Sequence, residues 1–308
     1  MSIKDKITGM LKAHAYGDAF GAAYEFKPRP TFSDNIEHKI HLPRRFQDDI
    51  YLPVGSVTDD TQMTYALLSS ICNQDYDLDT VIIAYNTWAK TAVCCGRNTQ
   101  ELFKFKVKPE NVVASFMRRW KAQETRSQSN GSLMRCSVLA LLPENTWVKD
   151  CNLTNPTLLN RTCNKIYLTA LRSLLRNEDV KTIYRTALRA AHKIPVLKPN
   201  VIKINKKEIL DVGENRGWVL HAFCLALETL RYLAETPKNQ VSLLYIHQQV
   251  KTHIAGDTDT NAAISAALIG AYLGYNRLVE NTIVANNMAK ILMPDYTIID
   301  QYITKHLV

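Results

Sequence analysis

Two stripes of small residues constrain this chain more than any other feature in it. Gly9, Ala13, Gly17 and Gly21 recur at every fourth position of one segment, and Ala262, Ala266, Gly270 and Gly274 do so in another. Residues four apart share one face of an α-helix. A glycine inside a helix costs about 1 kcal/mol relative to alanine, so something must offset the glycines in each stripe. Close approach of a neighbouring helix backbone does this, as in small-xxx-small packing. The two segments are therefore expected to be helices in the middle of a bundle.

The rest of the chain has the same character. Apolar residues recur at three- and four-residue steps through Ile3, Ile7, Met10 and Leu11, and through Met63, Ala66, Leu67 and Ile71. That spacing predicts helices. Further helical runs are expected over 79–90, 132–142, 158–176, 180–192, 217–234, 243–253 and 260–274. Strand-like alternation is nearly absent, and Val201-Ile202-Lys203-Ile204 is its best candidate. The segment 193–217 contains Pro195, Pro199, Gly213, Gly217 and a basic run at 203–207, and it reads as a long loop or insertion. The expected fold is all-α, with a dozen or so helices in one domain spanning 1–308.

Composition narrows the function classes. Of 308 residues, 46% are hydrophobic and 22% charged, which suits a compact soluble protein. The net charge of +9 would favour an acidic partner. The basic residues are scattered, however, with no interleaved aromatic residues, so nucleic acid is not expected as a partner. Seven cysteines include no CxxC pair, and Cys94 and Cys95 are adjacent; reduced thiols fit this better than a zinc site. The opening MSIKDKITGM lacks an apolar h-region, and the most apolar stretch, 262–274, is too short to span a bilayer. An intracellular, cytoplasmic protein is expected, with no membrane partner and a monomeric state.

Chemistry concentrates in two acidic turns, Thr58-Asp59-Asp60-Thr61 and Asp257-Thr258-Asp259-Thr260, each just before a helical run. Helix capping accounts for one such residue per helix. Two neighbouring carboxylates repel unless a cation neutralises them. A donor set of oxygens without Cys or His suits magnesium, and the two turns together could hold two ions. In Gly17–Glu25, residues seven apart return to one helical face. If the first helix continues that far, Asp18 and Glu25 share a side, with Pro28 and Pro30 ending the element. On spacing alone Glu25 reads as a solvated carboxylate. Ser127-Gln128-Ser129-Asn130-Gly131-Ser132 carries an Asn-Gly turn signal before a helix whose free N–H groups suit a phosphate; as a bare pattern it is a loop-to-helix junction.

In order, GDAFGAAYE (17–25), TDDTQM (58–63), GRNT (96–99), SNGSLMR (129–135), GWVLHAF (217–223) and AGDTDTNAAISAALIGAYLG (255–274) resemble the ADP-ribosylglycohydrolase family. That group includes the dinitrogenase reductase-activating glycohydrolases. The resemblance implies an orthogonal all-α bundle with a binuclear Mg²⁺ or Mn²⁺ site in a cleft. By position, the implied metal ligands are Thr58, Asp59, Asp60, Asp257, Asp259 and Thr260. The acidic residue near the scissile bond falls on Glu25. The ADP-ribose cradle falls on Ser127, Gln128, Ser129, Asn130 and Gly131, with Gly96 and Asn98 lining the same cleft. The family's His after the SNG helix falls on Asn155, which can hydrogen-bond but carries no charge.

The implied activity is release of ADP-ribose from a protein or small acceptor, by glycosidic cleavage through an oxocarbenium-like transition state. Glu25, or a metal-bound carboxylate such as Asp60 or Asp257, would move the proton. Two alternatives stand beside this one. A non-catalytic ADP-ribose-binding or structural relative is favoured only by Asn155. A metal-dependent phosphohydrolase would yield AMP and ribose phosphate instead of intact ADP-ribose.

Overall fold

The computed structural model describes residues 1–25, 32–37, 40–42, 50–72, 74–123, 126–253, 256–292 and 297–307. Sixteen α-helices lie among these residues. They are α1 (Ile3–Gly21), α2 (Asp59–Ile71), α3 (Leu78–Thr91), α4 (Arg97–Phe103), α5 (Val112–Ala122), α6 (Gly131–Met134), α7 (Glu144–Thr154) and α8 (Leu158–Leu175). After them come α9 (Val180–His192), α10 (Lys198–Asn205), α11 (Val219–Glu235), α12 (Tyr245–Thr252), α13 (Thr258–Leu273), α14 (Tyr275–Leu278), α15 (Thr282–Lys290) and α16 (Thr297–Leu307). A two-stranded antiparallel pair, β1 (Ile40–Leu42) and β2 (Ile50–Leu52), is the only sheet among the described residues.

Local chemistry explains where several helices start. Ser2, Asp77, Thr157, Asp179 and Asn281 each accept a hydrogen bond from the backbone N–H three residues on. Each such cap contributes about 1 kcal/mol. Gly274, with φ +74°, ends α13 in a conformation that side chains disfavour.

The small-residue stripes meet each other. A Cβ placed on Gly17 would lie 2.3 Å from the Ala262 carbonyl oxygen, one on Gly21 2.3 Å from that of Thr258, and one on Gly270 2.2 Å from that of Gly9. These pairings make α1 and α13 antiparallel, backbone against backbone, with the end of α1 beside the start of α13. α11 packs on α13 and also on α8 and α9, while α2 lies between α1 and α3. The buried apolar side chains form a continuous cluster from Ile7 to Ile303.

Some expectations are corrected. Residues 201–204 are not a strand but part of α10, which turns 8 residues of the supposed 193–217 loop into helix. Val201 and Ile204 are buried there as α10 packs on α9 and α11. Pro199 sits in the first turn of α10, where its missing N–H has no intrahelical partner to lose. The run 132–142 is not one α-helix: α6 is a single turn, followed by a 3₁₀ segment, Cys136–Leu141. α1 ends at Gly21, and the Tyr24 N–H closes a turn on the Gly21 carbonyl at 2.9 Å. Glu25 is therefore off the helix, and helical spacing does not relate it to Asp18. Pro28 and Pro30 lie outside the described residues. No helix among the described residues is long and apolar enough to cross a membrane.

Candidate active site

Because α1 ends where α13 begins, their packing brings carboxylates from opposite ends of the chain together. Asp18, one turn before the end of α1, caps α2. Its Oδ1 accepts the Thr58 N–H at 3.0 Å and the Thr58 hydroxyl at 2.7 Å, and its Oδ2 accepts the Thr61 N–H at 3.0 Å. Thr58 itself makes no side-chain capping bond, so the start of α2 depends on a residue of α1. The Thr58 hydroxyl also lies 3.1 Å from Asp60 Oδ2 and 3.5 Å from Asp259 Oδ2. Carboxylate oxygens of Asp18, Asp60 and Asp259 lie within 4.8 Å of one another, and so do those of Glu25, Asp257 and Asp259. Asp259 joins the two groups.

Burial dominates the electrostatics. Asp18, Asp59, Asp60, Asp257 and Asp259 are all buried, Asp18 and Asp60 almost completely. Removal from water pushes the Asp18 carboxyl up to about 6, against the hydrogen bonds from Thr58 and Thr61. Asp60 is raised well above the ordinary range by burial, then by the charges of Asp18, Asp59 and Asp257. Asp259 is raised likewise by burial, then by Glu25, Asp257 and Asp60. Asp59 and Asp257 are raised by burial, partly offset by the Gly96 N–H and by the Asn130 amide respectively. Asp60 Oδ1 is buried without a hydrogen-bond partner among the described residues. Oxygen donors in this number, mutually repelling and with one orphaned oxygen, fit a hard divalent cation.

A loop and a turn border the carboxylates. The segment 127–131 is stitched to the start of α11: the Asn130 N–H donates to the Gly217 carbonyl at 2.9 Å and the Val219 N–H to that of Gln128 at 3.0 Å. The Trp218 indole N–H reaches Gln128 Oε1 at 3.0 Å. The Asn130 amide then donates to Asp257 Oδ2 at 2.7 Å, which joins loop to cluster. Gly217 packs beside that same oxygen, 3.5 Å from where its Cβ would sit. Across the site, the Gly96 N–H donates to Asp59 Oδ2 at 3.1 Å, and space around Gly96 is open.

A sequence model of the ADP-ribosylglycohydrolase family matches residues 1–291. The chain belongs to the ADP-ribosylglycohydrolase family. It is similar to the uncharacterized protein YegU of Escherichia coli (strain K12), at 23% identity over 313 residues covering 89% of each protein. A solved structure described as an ADP-ribosylglycohydrolase-related protein complex shares the fold, with a TM-score of 0.65 at 21% identity over 94% of this chain and 98% of that one. Family membership supports a glycosidic-bond hydrolase, and the all-α architecture agrees with it.

In this family member, the residues expected to form the site fall into two sets. Glu25, Thr58, Asp59, Asp60, Asp257, Asp259 and Thr260 are brought together, with Gly96 and Asn130 at their edge, while a Cβ on Gly131 would face Asn155, Ser129 and Thr99. The Thr260 N–H bonds Asp259 Oδ1 at 2.9 Å. Ser127 and Ser129 bond each other through their hydroxyls at 3.0 Å. Asn98 and Asn155 are placed differently. Asn98 donates to the Thr154 carbonyl at 2.8 Å and accepts from Gln123 at 3.0 Å. Asn155 is 0% exposed and lies beneath the loop. Its amide donates to the Ser127 carbonyl at 3.1 Å and to Ser129 Oγ at 3.0 Å, while its Oδ1 accepts the Thr154 hydroxyl at 2.7 Å. As α6 has one turn, the cradle gains little from a helix dipole.

Two features escaped the sequence reading. Asp18, expected only to share a helical side with Glu25, joins the cluster with Asp60 and Asp259. Arg135, fully buried, pairs with Asp150 at 3.1 Å and donates to the Gly131 carbonyl at 2.7 Å and the Thr154 hydroxyl at 2.9 Å. Tyr85 donates to the other Asp150 oxygen at 2.9 Å. This pair holds the loop from below, through Thr154 and Asn155.

Proposed function

We propose that the protein hydrolyses the glycosidic bond between ADP-ribose and an acceptor, a protein side chain or a small molecule, and releases intact ADP-ribose. The observation that carries this reading is the convergence of buried carboxylates from α1, α2 and α13 beside a loop joined to them through Asn130 and Asp257. Thr58, Asp59, Asp60, Asp257, Asp259 and Thr260, with Asp18 behind them, would hold two divalent cations, Mg²⁺ or Mn²⁺. Bound there, the cations supply the positive charge that neutralises the cluster and polarises the oxygens of ribose and water.

The chain's own residues do the remaining work. The 127–131 loop and the open turn at Gly96 orient the ADP-ribose so that C1′ faces the carboxylates. As the bond from C1′ to the acceptor breaks, positive charge develops on the ribose ring. Preorganised carboxylates stabilise that charge. Glu25, half-buried at the edge of the cluster, gives a proton to the departing acceptor or takes one from the attacking water. Asp60 and Asp257 shape the field in which that proton moves. We take residues 1–308 as one domain acting as a cytoplasmic monomer on ADP-ribosylated partners.

The test is a panel of ADP-ribosylated peptides that differ only in the linked residue, with and without EDTA, and with products separated by chromatography. Intact ADP-ribose is the expected product, lost on chelation and restored by Mg²⁺ or Mn²⁺. AMP as the product would make the protein a phosphohydrolase. Full release by Asp257→Ala or Asp59→Ala would remove the metal role. ADP-ribose binding by calorimetry without any turnover would make the protein a binder.

A further inference from the structure

We infer that the Tyr24 hydroxyl is a clamp that positions Glu25 against Asp257 and Asp259. The role of Glu25 in proton transfer rests on the function proposed above. Glu25 lies beyond the end of α1, so no helix fixes its direction. Its carboxylate nevertheless approaches Asp257 and Asp259 within 4.8 Å. Like charges at that range repel, and Glu25 is the largest charge acting on Asp259. The direction of the backbone at residue 24 sets where that carboxylate can reach.

The neighbouring Tyr24 is built to fix that direction. Tyr24 is 2% exposed. Its hydroxyl donates to the Ser33 carbonyl at 2.8 Å and accepts the Ser33 N–H at 2.9 Å, so one side chain satisfies both backbone groups of a residue nine positions on. Its ring stacks on Phe32 with centroids 5.0 Å apart and tilts on Phe20 at 5.6 Å. Residue 24 is thus fixed by its backbone turn on Gly21 and by its side chain on Ser33.

The far jaw of the clamp is itself anchored to three helices. Asn287 of α15 accepts the Ile36 N–H at 3.0 Å and donates to the Asp34 carbonyl at 2.9 Å. Asp34 Oδ1 lies 3.0 Å from His247 Nδ1, and His247 Nε2 lies 2.6 Å from the Tyr16 hydroxyl. The His247 ring, on α12, stacks on Phe20 of α1 at 3.9 Å. Ser33 is therefore held to the same helix that carries Asp18. His247 and Asn287 act through Asp34, Ser33 and Tyr24 as positioning residues.

Tyr24→Phe keeps the ring and removes the clamp. In full-length protein with Mg²⁺ and the peptide that turns over, kcat is expected to fall about tenfold, while KM and the calorimetric Kd for free ADP-ribose stay within about twofold. In a Glu25→Gln background the same change should alter kcat no further, because coupled residues are non-additive. Equal losses in both backgrounds, or a loss matched by weaker ADP-ribose binding, would overturn the inference and leave the hydrolase reading intact. Normal turnover by Glu25→Gln overturns the inference together with the role of Glu25. If no ADP-ribosylated substrate is cleaved, the proposed function fails, and amide exchange still decides the clamp. Tyr24→Phe is expected to speed exchange at Ser33 and Glu25, and unchanged protection there overturns it.

Discussion

Asp18 and Thr58 lie 40 residues apart, yet one carboxylate oxygen of Asp18 accepts both the backbone N–H of Thr58, at 3.0 Å, and its hydroxyl, at 2.7 Å. A helix is ordinarily capped by its own preceding residue. Here the cap comes from α1, so the direction in which α2 presents Asp59 and Asp60 is set by packing rather than by local sequence. The first expectation follows from that. Asp18→Asn keeps one acceptor oxygen but turns an NH₂ group toward a backbone N–H, leaving a buried donor unmet. Such a loss costs about 1–3 kcal/mol. Urea denaturation should register it, and calorimetric Mg²⁺ affinity should fall about tenfold. An unchanged midpoint together with unchanged Mg²⁺ affinity would separate the cap from the cluster.

The raised carboxyl groups make a second expectation, in pH. A carboxyl whose folded pKa lies above its unfolded value binds more protons in the folded state. Its contribution to stability is fully present below the unfolded value near 3.8 and is lost as pH rises through the folded one, about 6 for Asp18. Asp60 and Asp259, raised further, extend the loss to higher pH. Metal-free protein should therefore have a cluster least tolerated at alkaline pH, where a divalent cation gains most by replacing protons. The rise in Tm on adding Mg²⁺ is expected to be larger at pH 8 than at pH 5. An equal or smaller rise at pH 8 would mean that these carboxylates do not hold the cation.

Much of this architecture is legible in the residues because its causes are local. Helix periodicity and capping side chains are properties of short windows, and α3, α8 and α9 lie within a residue of their expected bounds. The stripes of Gly9–Gly21 and Ala262–Gly274 point to backbone contact because glycine in a helix has few other reasons to be there. Pro199 misleads, since the same residue stops one helix and starts another, and only the burial of Val201 and Ile204 tells which. The site is legible as two acidic turns and a loop. Its depth is not. Asp18 has no neighbouring acid to mark it, and its role exists only once α2 docks on α1. Asn155 has a position that the motif order gives and a side-chain direction that it does not.

The contact between α1 and α13 gives a third expectation. Gly17→Ala and Gly21→Ala would each place a Cβ 2.3 Å from a backbone carbonyl oxygen of α13, where no side-chain rotation can relieve the clash. Overpacking of this kind costs about 1–3 kcal/mol or more. Moving α13 away also separates Asp259 from Asp18, so Mg²⁺ affinity should fall with stability. Gly96→Ala is the control. Its Cβ meets nothing within 4 Å and its φ of −57° suits any residue, so thermal and urea stability should stay within about 0.5 kcal/mol. If the two stripe variants are equally harmless, the helices can part without consequence and the stripe has another cause.

Asn155 separates holding a ligand from holding the loop that receives it. Its amide spends both hydrogen-bonding directions on Ser127, Ser129 and Thr154, and behind Thr154 stands the buried Arg135–Asp150 pair. Asn155→Leu preserves the volume and deletes these bonds, leaving the Ser127 carbonyl without the amide and the Thr154 O–H without its acceptor, although Arg135 still donates to that hydroxyl. A stability loss of about 1–3 kcal/mol is expected. With the loop loosened, the Asn130 amide no longer has a fixed path to Asp257, so calorimetric affinity for ADP-ribose should weaken about tenfold. Asn155→Asp is the sharper variant, for it keeps the acceptor facing Thr154 and turns a carboxylate oxygen toward the Ser127 carbonyl. If Asn155 touched the ligand's phosphates directly, that added negative charge would abolish binding while leaving stability unchanged. If it supports the loop, stability and affinity fall together, and wild-type affinity in a destabilised Asn155→Asp protein would sink the support role.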